Sequence, residues 1–206
     1  MTASLELGLD EKRRQKMLVV LEGSVGSGKT LSAVALAIME KEKSGKEIVS
    51  NIHLNTEYRL ISSDDFVKLM MDNSLKNCSI ILDSMYIIAD SRGSQSSLNK
   101  LFSYFVAGSR KNEIDIYLVA NNFSDIDIRL RKATDIRGKC KYDIKTKICS
   151  ISFVDLQSKD AERKTIRIDL SKFFDMVSGT KSISCSESNL DRIVENVENY
   201  EMVKKL

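Results

Sequence analysis

Residues 23–30 read GSVGSGKT, a full G-x-x-x-x-G-K-T match in which three glycines precede a lysine and a threonine. Each residue type answers a requirement of polyphosphate binding. Gly23, Gly26 and Gly28 let the backbone wrap a phosphate chain, so that the N–H groups of the loop, those of Ser24, Val25 and Ser27 included, converge on its oxygens at a helix N-terminus. Lys29 is placed to reach the β- and γ-phosphates, and the Thr30 hydroxyl to bind magnesium. The expected ligand is ATP with Mg2+. A second chemical residue follows about fifty positions on, where the apolar run Ile80, Ile81, Leu82 ends in Asp83. A carboxylate at the end of a buried strand is suited to holding magnesium through water. The next residue is Ser84, whose hydroxyl is far too weakly basic to act as a general base at neutral pH, although it can hold a water by hydrogen bonds. Asp90 and Glu22 are the nearest other carboxylates, and each reads more simply as a surface or structural charge.

These groups meet only if a strand and a helix flank the loop. KMLVVLEG (16–23) has the continuous apolar texture of a buried strand, and LSAVALAIMEKEKSG (31–45) that of an alanine-rich helix closed by Gly45. EIVSNIHL is expected as a second strand, SSDDFVKLMMD as a short helix and CSIILD as a third strand. In SLNKLFSYFVAGSRK, Leu98, Leu101, Phe102, Phe105 and Val106 form an apolar helical stripe that belongs to the core. DIYLVANN is a fourth buried strand. From about Asp135 the pattern changes to partial alternation in KCKYDIKTKICSISFVDLQ and KTIRIDL, which predicts antiparallel strands with one solvated face. Leu190, Ile193, Val194, Val197 and Tyr200 fall at helical spacing in a terminal amphipathic helix between Ser186 and Leu206. The fold class is α/β: a P-loop NTPase with a central, mainly parallel sheet flanked by helices, plus a C-terminal antiparallel hairpin region and a terminal helix. One domain is expected over residues 1–206, with a core at about 15–135 and the hairpin and helix appended at about 136–206.

The composition agrees with such a domain and excludes little else. The 206 residues are 42% hydrophobic and 30% charged with a net charge of +3, a balance that demands no particular partner. No apolar run approaches the roughly 18 residues of a membrane span, and residues 1–16 lack the apolar stretch of a signal peptide, so an intracellular protein is expected. Cys78, Cys140, Cys149 and Cys185 include no CxxC pair and no nearby histidine. Free thiols are therefore expected rather than a zinc site, with a Cys140–Cys149 bridge as the alternative.

The order of these motifs resembles the FtsK–HerA superfamily of hexameric DNA-pumping ATPases, and within it the genome-packaging ATPases of archaeal turreted icosahedral viruses, which are themselves similar to the Zot proteins of filamentous phages. The residues that carry the likeness are GSVGSGKT (23–30), SNIHL (50–54), ILDSMYIIADSR (81–92), GSRKNEIDIYLVANNFSDIDIRLR (108–131) and IDLSKFFDMVSGT (168–180). The resemblance implies a homo-oligomeric ring, a hexamer, that drives double-stranded DNA into a viral capsid or through its portal vertex, in the host cytoplasm or on the virion. It also implies that Arg110 acts on a neighbouring subunit's γ-phosphate, although an arginine after a helix equally suits that helix's C-terminal dipole, with Arg129 and Arg131 as alternatives for the trans role or for DNA phosphates. Asn121 stands where the family has a sensor glutamine, and Asp83-Ser84 where it has Asp-Glu. These two departures predict intact nucleotide binding with impaired turnover. Lys132, Arg137, Lys139 and Lys141 suit a DNA backbone or a solvated face alike, and His53 reads as a strand residue.

Overall fold

In the computed structural model, which describes residues 17–83, 97–158 and 163–177, the run LVVLE forms strand β1 (Leu18–Glu22) with every residue buried. A strand buried on both faces needs cover on both faces, and alternation along β1 distributes its side chains between two cores. Leu18 and Val20 join the core that holds Phe66, Phe102 and Phe105. Val19 and Leu21 join the one that holds Ala33–Ala37. The small residues of helix α1 (Lys29–Ser44) let it lie close against the sheet, and Gly45, in the left-handed conformation, ends it by donating its N–H to Lys41 O. On the opposite face pack α2 (Ser63–Asp72) and α3 (Ser97–Ser109). There Phe66 meets Phe102 and Phe105 edge-on, with ring centroids 5.8 and 5.6 Å apart.

The other strands are β2 (Glu47–Ser50), β3 (Arg59–Leu60), β4 (Cys78–Asp83), β5 (Asp115–Ala120), β6 (Ile136–Asp143), β7 (Ile148–Asp155) and β8 (Arg163–Asp169). They form one eight-stranded sheet in the order β3-β2-β4-β5-β1-β6-β7-β8. Pairing is parallel from β3 to β6 and antiparallel from β6 to β8. The antiparallel strands expected after Asp135 therefore continue the central sheet, because β6 lies parallel to β1 with Val19 opposite Ile136. Gly138 makes that junction possible: a Cβ there would stand 2.7 Å from both Leu21 Cδ2 and Phe153 Cε1.

Two local expectations need correction, and two short elements go beyond the sequence reading. The second strand stops at Ser50 rather than running to Leu54, and His53 is an exposed residue beyond it. The two-residue β3 carries too little pattern to be read from sequence. The basic segment DIRLRK forms a short helix, α4 (Ile128–Ala133), started by Asp127, whose carboxylate accepts the Arg129 N–H at 2.8 Å. Cys78, Cys140 and Cys149 are free and buried. Among the described residues no helix is long and apolar enough to cross a membrane. The expected terminal helix over 186–206, Ser84, Asp90 and Cys185 lie outside the described residues.

Candidate functional site

The octapeptide links the end of β1 to the first turn of α1, and all three of its glycines have positive φ, Gly26 at 76° with open space where a Cβ would go. Gly28 precedes the helix at φ 83°, and a Cβ there would lie 2.9 Å from Leu170 Cδ1. At Gly23 a Cβ would press within 2.5 Å of Ser27 Oγ and 2.9 Å of Cys140 O. No side chain caps α1 and no acidic residue stands in its first turn, so its N-terminal N–H groups and dipole face an open space suited to an anion. Beneath the loop, the Cys149 thiol donates to Ser27 O at 3.6 Å. Its neighbour Cys140 is pushed well up from the ordinary thiol range by a hydrogen bond with Cys149 and by burial. The Ser27 hydroxyl is buried without a hydrogen-bond partner.

Strand parity explains how Asp83 arrives at this loop. In β4, Cys78, Ile80 and Leu82 face the aromatic core while Ile81 faces α1, and Asp83 continues the α1 side. There it accepts a hydrogen bond from the Thr30 hydroxyl, Oγ1 to Oδ2, at 2.7 Å. Magnesium fits this donor set: a hydroxyl and a carboxylate, both hard oxygen ligands, converge from two elements 53 residues apart in sequence. Lys29 lies across the loop and donates to Ser24 O at 2.8 Å, a bond that an incoming phosphate can replace with a charge-assisted one.

A residue to which the sequence assigned no role secures Asp83. Asn51, 3% exposed, donates from Nδ2 to Asp83 O at 2.8 Å and accepts from Asp83 N at 2.8 Å. One side chain thus prolongs the β2–β4 ladder past the end of β2 and holds the peptide that carries the carboxylate. The only signal for it was its place in the SNIHL segment of the resemblance, where no chemistry marked it out.

The remaining predicted residues divide. Asn121 follows β5 directly, its carbonyl accepts the Gly23 N–H at 3.2 Å, and the parity of Tyr117 and Val119 puts it on the α1 side with Asp83. Arg110 lies at the opposite end of the sheet. It is paired with Asp135, whose other oxygen accepts the N–H of Leu18, the first residue of β1. The loop follows the last residue of β1, so four steps of strand, about 13 Å, separate that pair from the loop of the same chain. Glu22 faces away from α1: Arg137 Nε donates to Oε1 at 2.8 Å and the Phe123 N–H to Oε2 at 2.8 Å, so both oxygens are engaged. Arg129 is held in a two-point pair by Asp127, with both contacts at 3.1 Å.

Beyond the phosphate loop a pocket of about 240 Å³ opens over Gly26, Gly28, Lys29 and Thr30 and is walled by Leu31, Tyr142, Leu170 and Phe174. A loop of backbone donors, a lysine, and a hydroxyl–carboxylate pair at its edge make up the chemistry of a nucleotide-binding P-loop.

Solved structures share this fold. The N-terminal domain of zonular occludens toxin from Neisseria meningitidis superposes with a TM-score of 0.61 at 15% identity, covering 80% of this chain and all of that domain (100%). The genome packaging NTPase B204 of Sulfolobus turreted icosahedral virus 2, in complex with ATP-gammaS, gives 0.55 at 12% identity over 74% of this chain and 97% of that one. A third solved structure, of an ATPase domain, gives 0.51 at 10% identity over 81% and 86%. The fold is that of the P-loop NTPases, as the sequence implied. No curated protein sequence matches the chain. The family described as Zonular occludens toxin (Zot) matches residues 17–180, a span that takes in β1, the phosphate loop, Asp83 and the antiparallel strands, and the chain belongs to that family.

Proposed function

We propose that this chain is a magnesium-dependent ATPase that works as a homo-oligomeric ring, a hexamer, and moves double-stranded DNA into a viral capsid. The observation that carries the reading is the meeting of Thr30 and Asp83 beside Lys29, since only hydrolysis or tight binding of a metal–triphosphate needs those three groups together. In this reading the Thr30 oxygen and, through water, Asp83 hold magnesium, Lys29 neutralises the β- and γ-phosphates, and Asn121 stands at the γ-phosphate end. A ring is supported by Arg110, whose place about 13 Å from its own loop suits action on a neighbour's nucleotide.

DNA is supported by one face of the antiparallel strands. Cross-strand registers put Lys141, Ser150 and Arg167 in one row, Lys139, Ser152 and Thr165 in the next, and Arg137, Val154 and Arg163 in a third. Lys139, Lys141, Arg163 and Arg167 are exposed on that face, a spacing of cations and hydroxyls suited to a phosphate backbone. The likeness to a genome packaging NTPase supports the capsid as destination and the host cytoplasm or virion as place. A second reading, an ATP-binding assembly protein that scarcely hydrolyses, is favoured by Ser84 at the position following Asp83.

The deciding experiment is steady-state ATP turnover with and without double-stranded DNA, together with the oligomeric state in solution. Stimulation by DNA in a ring-sized assembly is expected, and DNA binding should weaken steeply with salt. Turnover that DNA leaves unchanged would overturn the translocase reading. Mixed assemblies of Arg110→Ala and Lys29→Ala subunits test the arginine: turnover above either variant alone is expected, and none would exclude action in trans.

A further inference from the structure

We infer that Tyr142 and Phe174, backed by the buried Leu170, form a base shelf beside the phosphate loop, which holds a purine by its faces and therefore accepts ATP and GTP nearly alike. This inference rests on the nucleotide reading of the loop. The pocket has two halves of different chemistry. Its floor is the loop and the first turn of α1, which bind phosphate; past Leu31 its wall is apolar and aromatic. The β6–β7 hairpin and the 3-10 segment Leu170–Met176 supply that wall, and they stand close to the loop: at Gly28 a Cβ would meet Leu170 Cδ1 at 2.9 Å and Tyr142 Cβ at 3.4 Å. A triphosphate on the loop must direct its ribose and base out of the phosphate cradle, and this wall is the apolar surface that continues from it.

The shelf is held in place before any ligand arrives. Leu170 is 1% exposed, and its N–H donates to Lys147 O at 3.0 Å. At the other end of the segment, Asn55 donates from Nδ2 to Asp175 O at 2.7 Å and from its backbone to Met176 O at 2.8 Å. Phe174 sits between these anchors and is 41% exposed, a large apolar ring left partly open to solvent next to a phosphate site. Covering such a ring with a flat base gains stacking and apolar contact without ordering a loop.

The same residues account for low selectivity. Adenine and guanine differ at position 6, an amine donor against a carbonyl acceptor, at N1, an acceptor against a donor, and at position 2, where guanine alone carries an amine. Among the described side chains of the wall, Tyr142 alone has a hydrogen-bonding group, and a phenol hydroxyl donates or accepts as required. Stacking itself is tolerant because every base has a π-face.

Calorimetric titration of the full chain with ATP, GTP and inorganic tripolyphosphate, each with magnesium, tests the shelf. The parent protein is expected to bind ATP and GTP within about threefold of each other. Phe174→Ala, a change at a part-exposed position, should weaken both by about tenfold and leave tripolyphosphate unchanged, and Phe174→Trp should restore affinity. ATP and GTP affinities unaffected by Phe174→Ala, or a preference above about a hundredfold for one purine, would overturn the shelf. Lys29→Ala separates the two readings: it should abolish tripolyphosphate binding, and tripolyphosphate bound equally well without Lys29 would overturn the phosphate site and the shelf with it.

Discussion

Asn51→Leu is the sharpest test of how this fold holds its carboxylate. The replacement keeps the side chain's approximate volume and removes both hydrogen bonds to the Asp83 peptide, the 2.8 Å bond to its carbonyl and the 2.8 Å bond from its N–H. Leaving a buried backbone group without a partner costs about 1–3 kcal/mol. Two groups are affected, but Asp83 is only part-buried and water can reach it, so the lower end applies and a loss of about 2 kcal/mol is expected. Urea unfolding should show a lower midpoint with an unchanged slope. The functional consequence is separable. A frayed strand end moves the carboxylate off Thr30, so the gain in ATP affinity that magnesium confers should shrink by about tenfold, or 1.4 kcal/mol, while binding of metal-free ATP to the loop persists. Asn51→Asp supplies an internal control, because it keeps an acceptor for the Asp83 N–H but cannot donate to the carbonyl until acid protonates the introduced carboxyl. Stability within about 0.5 kcal/mol of the parent, with an unaltered magnesium effect, would refute the clamp.

Three further outcomes are expected. Asp115→Asn should destabilise by about 3–5 kcal/mol in denaturant titration, because Lys46 is paired with Asp115 at 2.5 Å, both side chains are nearly inaccessible, and the change removes the counter-charge of that pair. Glu22→Gln should lower stability by about 1–3 kcal/mol through loss of the charged acceptor for Arg137, yet leave ATP turnover per folded molecule within about twofold; a hundredfold fall in turnover would make Glu22 the base. Ser84→Glu should speed hydrolysis by at least about tenfold over a slow parent, whereas parent turnover near 1 s⁻¹ or above would show that a base other than residue 84 already operates.

How far the sequence carried depends on the range of each interaction. The phosphate loop was legible because its requirements are contiguous in sequence: eight residues with a glycine at the positive-φ position 28 and lysine and threonine next to it, an apolar strand directly before and an alanine-rich helix directly after. β4, β5 and the stripe of α3 were legible because burial on one or both faces leaves a local period. Alternation in β6–β8 likewise announced one solvated face. The limits of β2 were misjudged because Ile52 and Leu54 are apolar and buried like strand residues, although they lie beyond the ladder.

What the sequence determined by itself was the chemistry available: a polyphosphate loop, a strand-end aspartate, an α/β fold and a basic antiparallel face. The tertiary structure alone decided which groups meet. It placed Asn51 on Asp83 across 32 residues and Thr30 on Asp83 across 53. It engaged Glu22 with Arg137 across 115 residues, put Arg110 at the far end of the sheet, and brought Leu170 and Phe174 to Gly28 and Leu31. The reason is physical. Periodicity reports which face of an element is buried, but strand order and register set which face meets which, and these follow from packing the whole sheet between its helices.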